Sequence, residues 1–147
     1  MWGRKANAGS EKPDAVQPLK NAVREMVRYA SPVMHMRRTA MADTEIGGQA
    51  IAKGDKVVMW YIAANRDESV FPDPHRFDID RGNIQHLGFG TGQHVCVGSR
   101  LAEMQLRVAF GILAERVTGF TVQSPPRRFR SNFINGLKNL DVVLSPA

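Results

Sequence analysis

Hydrophobic positions recur at helical spacing in two parts of the chain. From 18 to 30 the apolar residues fall on one side of a helix, and Ser31-Pro32 ends the pattern. From about 99 to 117 the same spacing returns, and the second half of this stretch is nearly all apolar. We therefore predict an amphipathic helix over 18–30 and a second, well-buried helix over 99–117.

Shorter apolar stretches bounded by turn residues predict strands. Three of them follow the first helix, at 33–38, 44–46 and 56–61, and glycine-containing turns separate them. Two more lie near the C terminus, at 120–122 and 141–144. This order predicts a small antiparallel sheet in the first half of the chain and a β-hairpin at its end.

The stretch from 65 to 85 shows neither the helical nor the strand period of apolar residues. Its prolines, its charges and Gly82-Asn83 exclude long regular elements, and we predict a meandering coil. So long a coil in a compact domain usually has a function. The fold class predicted from this order of elements is α+β and mainly helical.

The first 17 residues are rich in small and charged side chains and show no apolar period. This composition predicts a poorly ordered lead-in over 1–17, followed by one domain over 18–147. The chain of 147 residues is 43% hydrophobic and 23% charged, which is typical of a globular domain.

Neither a membrane span nor secretion is indicated by the sequence. The longest apolar run, 57–64, is far shorter than the ~20 residues that cross a bilayer, and residues 1–10 lack the apolar segment of a signal peptide. The single cysteine cannot form an internal disulfide. We therefore expect no membrane association and a cytoplasmic location.

The chain carries 20 Lys and Arg against 14 Asp and Glu, a formal net charge of +6. A positive field attracts nucleic acid, anionic lipid or an acidic protein. A nucleic-acid binder is expected to show a basic tract interleaved with stacking aromatics, and the sequence has no such tract. We expect no nucleic-acid partner.

The lone cysteine, Cys96, lies in a glycine-rich segment just before the second predicted helix. Backbone N–H groups and the positive end of the helix dipole favour an anionic sulfur there. Gly90 and Gly92 allow the backbone to fold closely around the sulfur, and Gly98 leaves room for a flat ligand. This pattern predicts a thiolate that binds a metal or reacts with an electrophile.

Three simpler interpretations compete with this one. A free cysteine is most often a small buried hydrophobic residue. A glycine-rich loop can bind phosphate, but the spacing here matches neither common phosphate-binding motif. A zinc site through His94 and Cys96 lacks two further ligands at recognisable spacing.

Residues 89–98, FGTGQHVCVG, resemble the F-G-x-G-x-H-x-C-x-G signature of the cytochrome P450 family, with every specified position filled. The resemblance implies a haem b cofactor whose iron is ligated by the Cys96 thiolate. It further implies that Phe89 packs beside the sulfur and that His94 reaches a haem propionate. The resemblance also implies that Gly90 and Gly98 contact the cofactor.

Three other segments agree with the family in type and order: the helix motif with its arginine partner, the first sheet, and the meander before the cysteine segment. Glu25 and Arg28 resemble its E-x-x-R helix motif, and Arg76 matches the arginine that completes its buried Glu-Arg-Arg triad. Without the family, Glu25 and Arg28 are an i,i+3 ion pair on the face opposite the apolar stripe, where solvent exposure is expected.

The stretch 31–48 is similar to the first sheet of the family, where an arginine at the position of Arg38 binds the second propionate. A surface arginine on a strand is the plainer interpretation. The resemblance also implies substrate contacts in two apolar segments, at Val33, Met34, Phe133 and Ile134. In all it covers residues 18 to 147.

The family's chemistry is hydroxylation of a hydrophobic small molecule with O₂ and two electrons, which a ferredoxin-type or flavin redox partner delivers. Family members are much longer than this chain. The resemblance therefore implies the C-terminal, haem-ligating portion of the fold, without the distal helix that activates oxygen. The alternative is a catalytically silent haem-binding fragment or an interaction module.

Overall fold

The first helix, α1, begins at Val16 and ends at Ala30. A computed structural model describes residues 16–82 and 84–147; the greater part of the predicted lead-in over 1–17 lies outside these residues. α1 begins two residues before the predicted start at Pro18. It ends where Ser31 takes a φ of 42° and the Ser31 hydroxyl donates to the Arg28 carbonyl at 2.8 Å.

The strands of the first half form two ladders, not the single small sheet that the sequence predicts. β1 (His35–Thr39) pairs antiparallel with β4 (Lys56–Trp60). β2 (Thr44–Ile46) pairs with β3 (Gln49–Ile51) in a separate hairpin. The sequence analysis missed β3, because the glycines at 47 and 48 turn the chain with positive φ and a further strand begins at once.

Beyond β4 the chain forms a short helix, α2 (Tyr61–Ala64). The coil over 65–85 that follows is the meander. A turn of 3-10 helix at Gly92–His94 precedes the long helix α3, Ser99–Arg116. The C-terminal strands are nested: β5 (Val117–Val122) pairs with β8 (Val142–Pro146), and between them β6 (Arg127–Arg128) pairs with β7 (Leu137–Asn139).

The prediction that the second helix is well buried is wrong, since no residue of α3 is buried. α1 covers one side of α3, where Arg24 faces Glu103 at 3.8 Å. Four apolar side chains at helical spacing stay exposed because no described element covers them: Leu101, Met104, Val108 and Ile112. In the part of the chain that the structure describes, no helix has the length and hydropathy needed to cross a membrane.

The core sits around the inner face of α1 and mixes apolar and polar side chains. Its buried apolar residues come from α1, α2 and the meander: Ala22, Val23, Val27, Tyr61, Phe71 and Ile84. Its buried polar residues are Glu25, Arg28, Ser31 and Asn65, each 0% exposed. Buried polar groups are stable only when they are hydrogen-bonded, so this cluster ties together the segments that it contacts.

Candidate functional site

The segment from Phe89 to Cys96 folds back on itself as a closed loop. Gly90 and Gly92 have φ of 73° and 65°, in the left-handed region that favours glycine. The turn of 3-10 helix that follows ends at His94, which is exposed. The Cys96 N–H donates to the Phe89 carbonyl at 2.8 Å, and this hydrogen bond closes the loop directly before α3.

Cys96 is solvent-exposed, and its surroundings leave space beside the sulfur. A Cβ atom on Gly98 would lie 3.9 Å from Cys96 Sγ, so a side chain there would fill this space. Val95 and Val97, on either side of the cysteine, are 52% and 103% exposed. An accessible sulfur whose two sequence neighbours are exposed valines fits a flat, largely apolar group that carries a thiolate-binding metal, as haem does.

A metal bound at Cys96 would need ligands other than the side chains of this region. Among residues 16–82 and 84–147, no three His, Cys, Asp or Glu side chains come together in a way that could hold a metal ion. The macrocycle of haem supplies its own nitrogen ligands, so a single protein thiolate is sufficient for that group.

Glu25 and Arg28 form a fully buried ion pair on α1. Arg28 Nε and Nη2 donate to the two carboxylate oxygens at 2.7 and 2.8 Å, and both side chains are 0% exposed. The solvent exposure expected without the family resemblance is therefore wrong. The meander folds over this face of α1, and Arg28 Nη1 also donates to the carbonyls of Asn65 and Pro74 at 2.7 and 2.9 Å.

The carboxyl group of Glu25 is held in its ionised form. Burial alone raises the pKa of Glu25, but hydrogen bonds from Arg28, from the Asp78 N–H and from Arg81, together with the charge of Arg28, lower it below its ordinary value. The carboxylate therefore acts as a fixed acceptor at which α1 and the meander meet.

The third member of this cluster is Arg81, which corrects the prediction of Arg76. Arg81 Nε lies 3.3 Å from Glu25 Oε1, whereas the side chain of Arg76 is exposed. Arg76 contributes its carbonyl oxygen, which accepts from Arg28 Nη2 at 3.3 Å and from Arg81 Nη2 at 3.0 Å. The backbone of the meander thus turns the Arg76 carbonyl inward and its side chain outward, and spacing in irregular backbone does not reveal this.

Asn65 connects the buried cluster to the cysteine loop, and the sequence analysis missed this role. Its side-chain Nδ2 donates to the Ser31 hydroxyl at 2.9 Å, and its Oδ1 accepts the Leu87 N–H at 2.7 Å. The signal available in the sequence is a polar residue directly after the apolar run 57–64, at the end of a short helix. The partners of this residue, however, lie far away along the chain.

Arg38 lies on β1 and is half-buried, whereas the neighbouring Arg37 is exposed. Side chains alternate between the two faces of a strand, so Arg38 shares the inner face with Met36. The Arg38 Nη1 donates to the Arg37 carbonyl at 3.1 Å.

The two apolar segments predicted to contact substrate lie side by side. Val33 and Ile134 form an isolated antiparallel bridge. The Met34 N–H donates to the Phe133 carbonyl at 2.9 Å. Residues that are about a hundred positions apart in the sequence therefore meet at one edge of β1.

The fold and the loop together define a class of protein: a haem-thiolate protein, built on a glycine-rich cysteine loop before a long helix and a buried Glu-Arg-Arg cluster. A family model described as "Cytochrome P450" matches residues 10–143. The chain belongs to the cytochrome P450 family, and the predicted α+β, mainly helical fold class is confirmed. Members of this family bind haem through a cysteine thiolate.

Curated relatives of high similarity are monooxygenases. The chain is 73% identical over 128 residues to linalool 8-monooxygenase of Pseudomonas putida, covering 87% of this chain and 32% of the relative. It is 44% identical over 124 residues to steroid C26-monooxygenase of Rhodococcus jostii, covering 84% of this chain and 26% of the relative. The chain thus spans about a third or less of the length of these relatives.

Solved structures agree with the fold. Cytochrome P450-153 from Novosphingobium aromaticivorans superposes with a TM-score of 0.85 at 49% identity, over 90% of this chain and 33% of that protein. P450BioI, solved in complex with an acyl carrier protein ligated with hexadec-9Z-enoic acid, gives 0.84 at 36% identity, over 87% and 34%.

Proposed function

We propose that these residues form the cysteine side of the haem site in a monooxygenase that hydroxylates a hydrophobic small molecule with O₂ and two electrons. The observation that carries the proposal is the geometry at Cys96. The sulfur is exposed, its sequence neighbours Val95 and Val97 are exposed as well, and the Phe89 carbonyl accepts the Cys96 N–H directly before α3.

Each residue of the loop has a distinct part in the proposal. Cys96 ligates the iron, and Phe89 packs beside the sulfur. Gly90 permits the positive φ of 73° that brings the chain back towards Cys96, and Gly98 keeps the side of the sulfur open. His94 reaches one haem propionate; its exposed position in the loop is compatible with this role.

Arg38 binds the second propionate from the inner face of β1 in this proposal. The attraction between a positively charged guanidinium and a negatively charged carboxylate supports this role. When bound, haem supplies the oxygen chemistry, and electron density from a thiolate ligand favours cleavage of the O–O bond. The protein residues keep the sulfur, the cofactor edge and the substrate in fixed positions.

The substrate class in the proposal is a hydrophobic molecule that contacts Val33, Met34, Phe133 and Ile134. Support comes from the apolar character of these side chains and from their meeting at one edge of β1. The relatives named for linalool and steroids act on hydrophobic compounds, and the P450BioI structure contains a fatty-acyl chain.

The electron donor in the proposal is a ferredoxin-type or flavin protein. The net charge of +6 supports an acidic donor, because complementary charge speeds association. A cytoplasmic location is part of the same proposal, and the absence of a second cysteine in the sequence is compatible with a reducing compartment.

The test is a difference spectrum of the reduced chain under carbon monoxide after expression with haem available. We expect a red-shifted Soret band of the thiolate type, which Cys96→Ala abolishes. Val143→Ala is the matched control, because it shortens an exposed valine on β8, outside the cysteine loop. A folded chain that gives no such band, or a band that survives Cys96→Ala, would contradict the proposal.

A second candidate function is haem binding without catalysis. The exposed apolar side chains of α3 are compatible with this form, because a contiguous apolar surface is typical of a module that binds a partner. Turnover of linalool with an electron-donor system separates the two candidates. Hydroxylated product supports the monooxygenase, whereas a thiolate band without product supports the silent haem-binding form.

A further inference from the structure

We propose that His86 is a positioning residue for the cysteine loop: its neutral imidazole accepts the Gly88 N–H and thereby fixes the start of the loop that ends at Cys96. The consequence of this role for function rests on the proposed haem site. The hydrogen bond itself belongs to the protein and can be tested without haem.

Side chains from two different segments accept consecutive backbone N–H groups at the start of the loop. Asn65 Oδ1 accepts the Leu87 N–H at 2.7 Å, and His86 Nδ1 accepts the Gly88 N–H at 3.1 Å. The Gly90 N–H then donates to the Leu87 carbonyl at 2.9 Å, which begins the turn. The loop therefore starts from a backbone whose direction is set by side-chain acceptors.

Gly88 is buried against α1, so water cannot replace His86 as the acceptor. A Cβ atom on Gly88 would lie 2.7 Å from Val27 Cγ1 and 3.1 Å from the Val27 carbonyl oxygen. Only glycine permits this approach without a shift of the helix or the loop. A buried N–H that loses its acceptor is unfavourable, and the backbone would move to expose it.

The path from His86 to the cysteine is short. The imidazole ring packs against the Phe89 ring with centroids 5.6 Å apart and planes tilted by 55°. The Phe89 carbonyl accepts the Cys96 N–H at 2.8 Å. His86 thus packs against the side chain of Phe89 and orients the peptide that precedes it. The Phe89 carbonyl in turn holds Cys96 in place.

The role requires a neutral imidazole, because both ring nitrogens of a protonated histidine are donors. The charged groups that face His86 are Glu103 on α3 and Arg24 and Arg28 on α1. Burial is the main cause that lowers the pKa of His86; the two arginines also lower it, whereas Glu103 and a hydrogen bond to the backbone of His86 itself raise it. Nδ1 is therefore available as an acceptor at neutral pH and is lost on acidification.

The test compares the wild type with two variants of the full chain. His86→Asn places an amide oxygen where Nδ1 lies and does not titrate, whereas His86→Leu has similar bulk and no acceptor. The measurement is hydrogen exchange of the backbone from 86 to 90, without haem, expressed as protection factors so that the intrinsic pH dependence of exchange cancels.

We expect protection of this segment in the wild type at neutral pH and a loss of roughly tenfold on acidification, as an unpaired buried N–H implies. His86→Asn should keep protection at both pH values, and His86→Leu should lack it at both. His75→Leu, which removes an exposed histidine, is the control and should follow the wild type.

The proposal is overturned if His86→Leu keeps wild-type protection, or if His86→Asn loses as much as His86→Leu, since ring packing would then be the cause. If His86→Leu fails to fold, the wild type is compared with His86→Asn at the two pH values. The proposal is then overturned if the protection of the wild type changes with pH no more than that of His86→Asn. A further outcome combines the expected protection with no thiolate band under carbon monoxide. That result supports the role of His86 and refutes only the haem assignment.

Discussion

Truncation of Arg81 to alanine is expected to destabilise the protein strongly, whereas truncation of Arg76 is not. The two arginines are close in sequence, and the family motif points to Arg76 as the partner of Glu25. In the structure the guanidinium that joins Arg28 at Glu25 belongs to Arg81, while the side chain of Arg76 is exposed. The pair of variants therefore measures which arginine joins α1 to the meander.

The size of the effect follows from the contacts of Arg81. Its side chain is 8% exposed, and its Nε lies 3.3 Å from Glu25 Oε1. The same guanidinium donates to main-chain carbonyls of the meander. Removing one partner of a buried ion pair costs about 3–5 kcal/mol when the remaining charge is left alone. Because Glu25 keeps Arg28, we expect about 2–4 kcal/mol for Arg81→Ala.

Arg76→Ala leaves its inward carbonyl in place and removes only an exposed side chain, so a change within about 0.5 kcal/mol is expected. Urea unfolding followed by circular dichroism gives both free energies of unfolding. Arg81→Lys should fall between the wild type and Arg81→Ala, because an ammonium group cannot reproduce the planar fork. Equal losses in Arg76→Ala and Arg81→Ala would refute the reasoning.

Three further predictions use the same unfolding measurement. Asn65→Leu leaves the Leu87 N–H without its acceptor and should cost about 2–3 kcal/mol, against no measurable change for the exposed Asn132→Leu. Gly90→Ala should cost about 1–2 kcal/mol, because φ is 73° and the new Cβ would lie 3.3 Å from Tyr61 Oη; stability equal to the wild type would contradict this. The pKa of Glu25 is lowered in the folded state, so its contribution is complete above the ordinary value of 4.5 and is lost as pH falls below it; Glu25→Gln should flatten this part of the pH profile.

The cysteine loop could be predicted from the sequence because its requirements are local. The glycines at 90 and 92 adopt positive φ, and the helix begins shortly after Cys96, as the pattern indicates. Torsion angles and helix starts depend on neighbours within a few residues. The family resemblance added the cofactor, which no local pattern contains.

The buried cluster could be predicted only in part. The spacing by itself identified Glu25 and Arg28 as an ion pair but not their burial, because the helix pattern placed them opposite the apolar stripe; only the family resemblance implied a buried cluster. Arg81 lies 56 positions from Glu25, and the Leu87 N–H lies 22 positions from Asn65. Contacts at such separations depend on the path of the meander, whose sequence has no helical or strand period from which that path could be predicted.

By itself the sequence determined the two long helices, the strands β1, β2, β4, β5 and β8, the cysteine loop and the family, since these follow from local backbone preferences and from a motif of fixed spacing. Only the tertiary structure decided which arginine reaches Glu25, that Asn65 and His86 hold the loop, and that α3 keeps an exposed apolar side. The physical reason is that burial and hydrogen-bond partners are properties of packed segments, and packing joins residues whose positions in the sequence are unrelated.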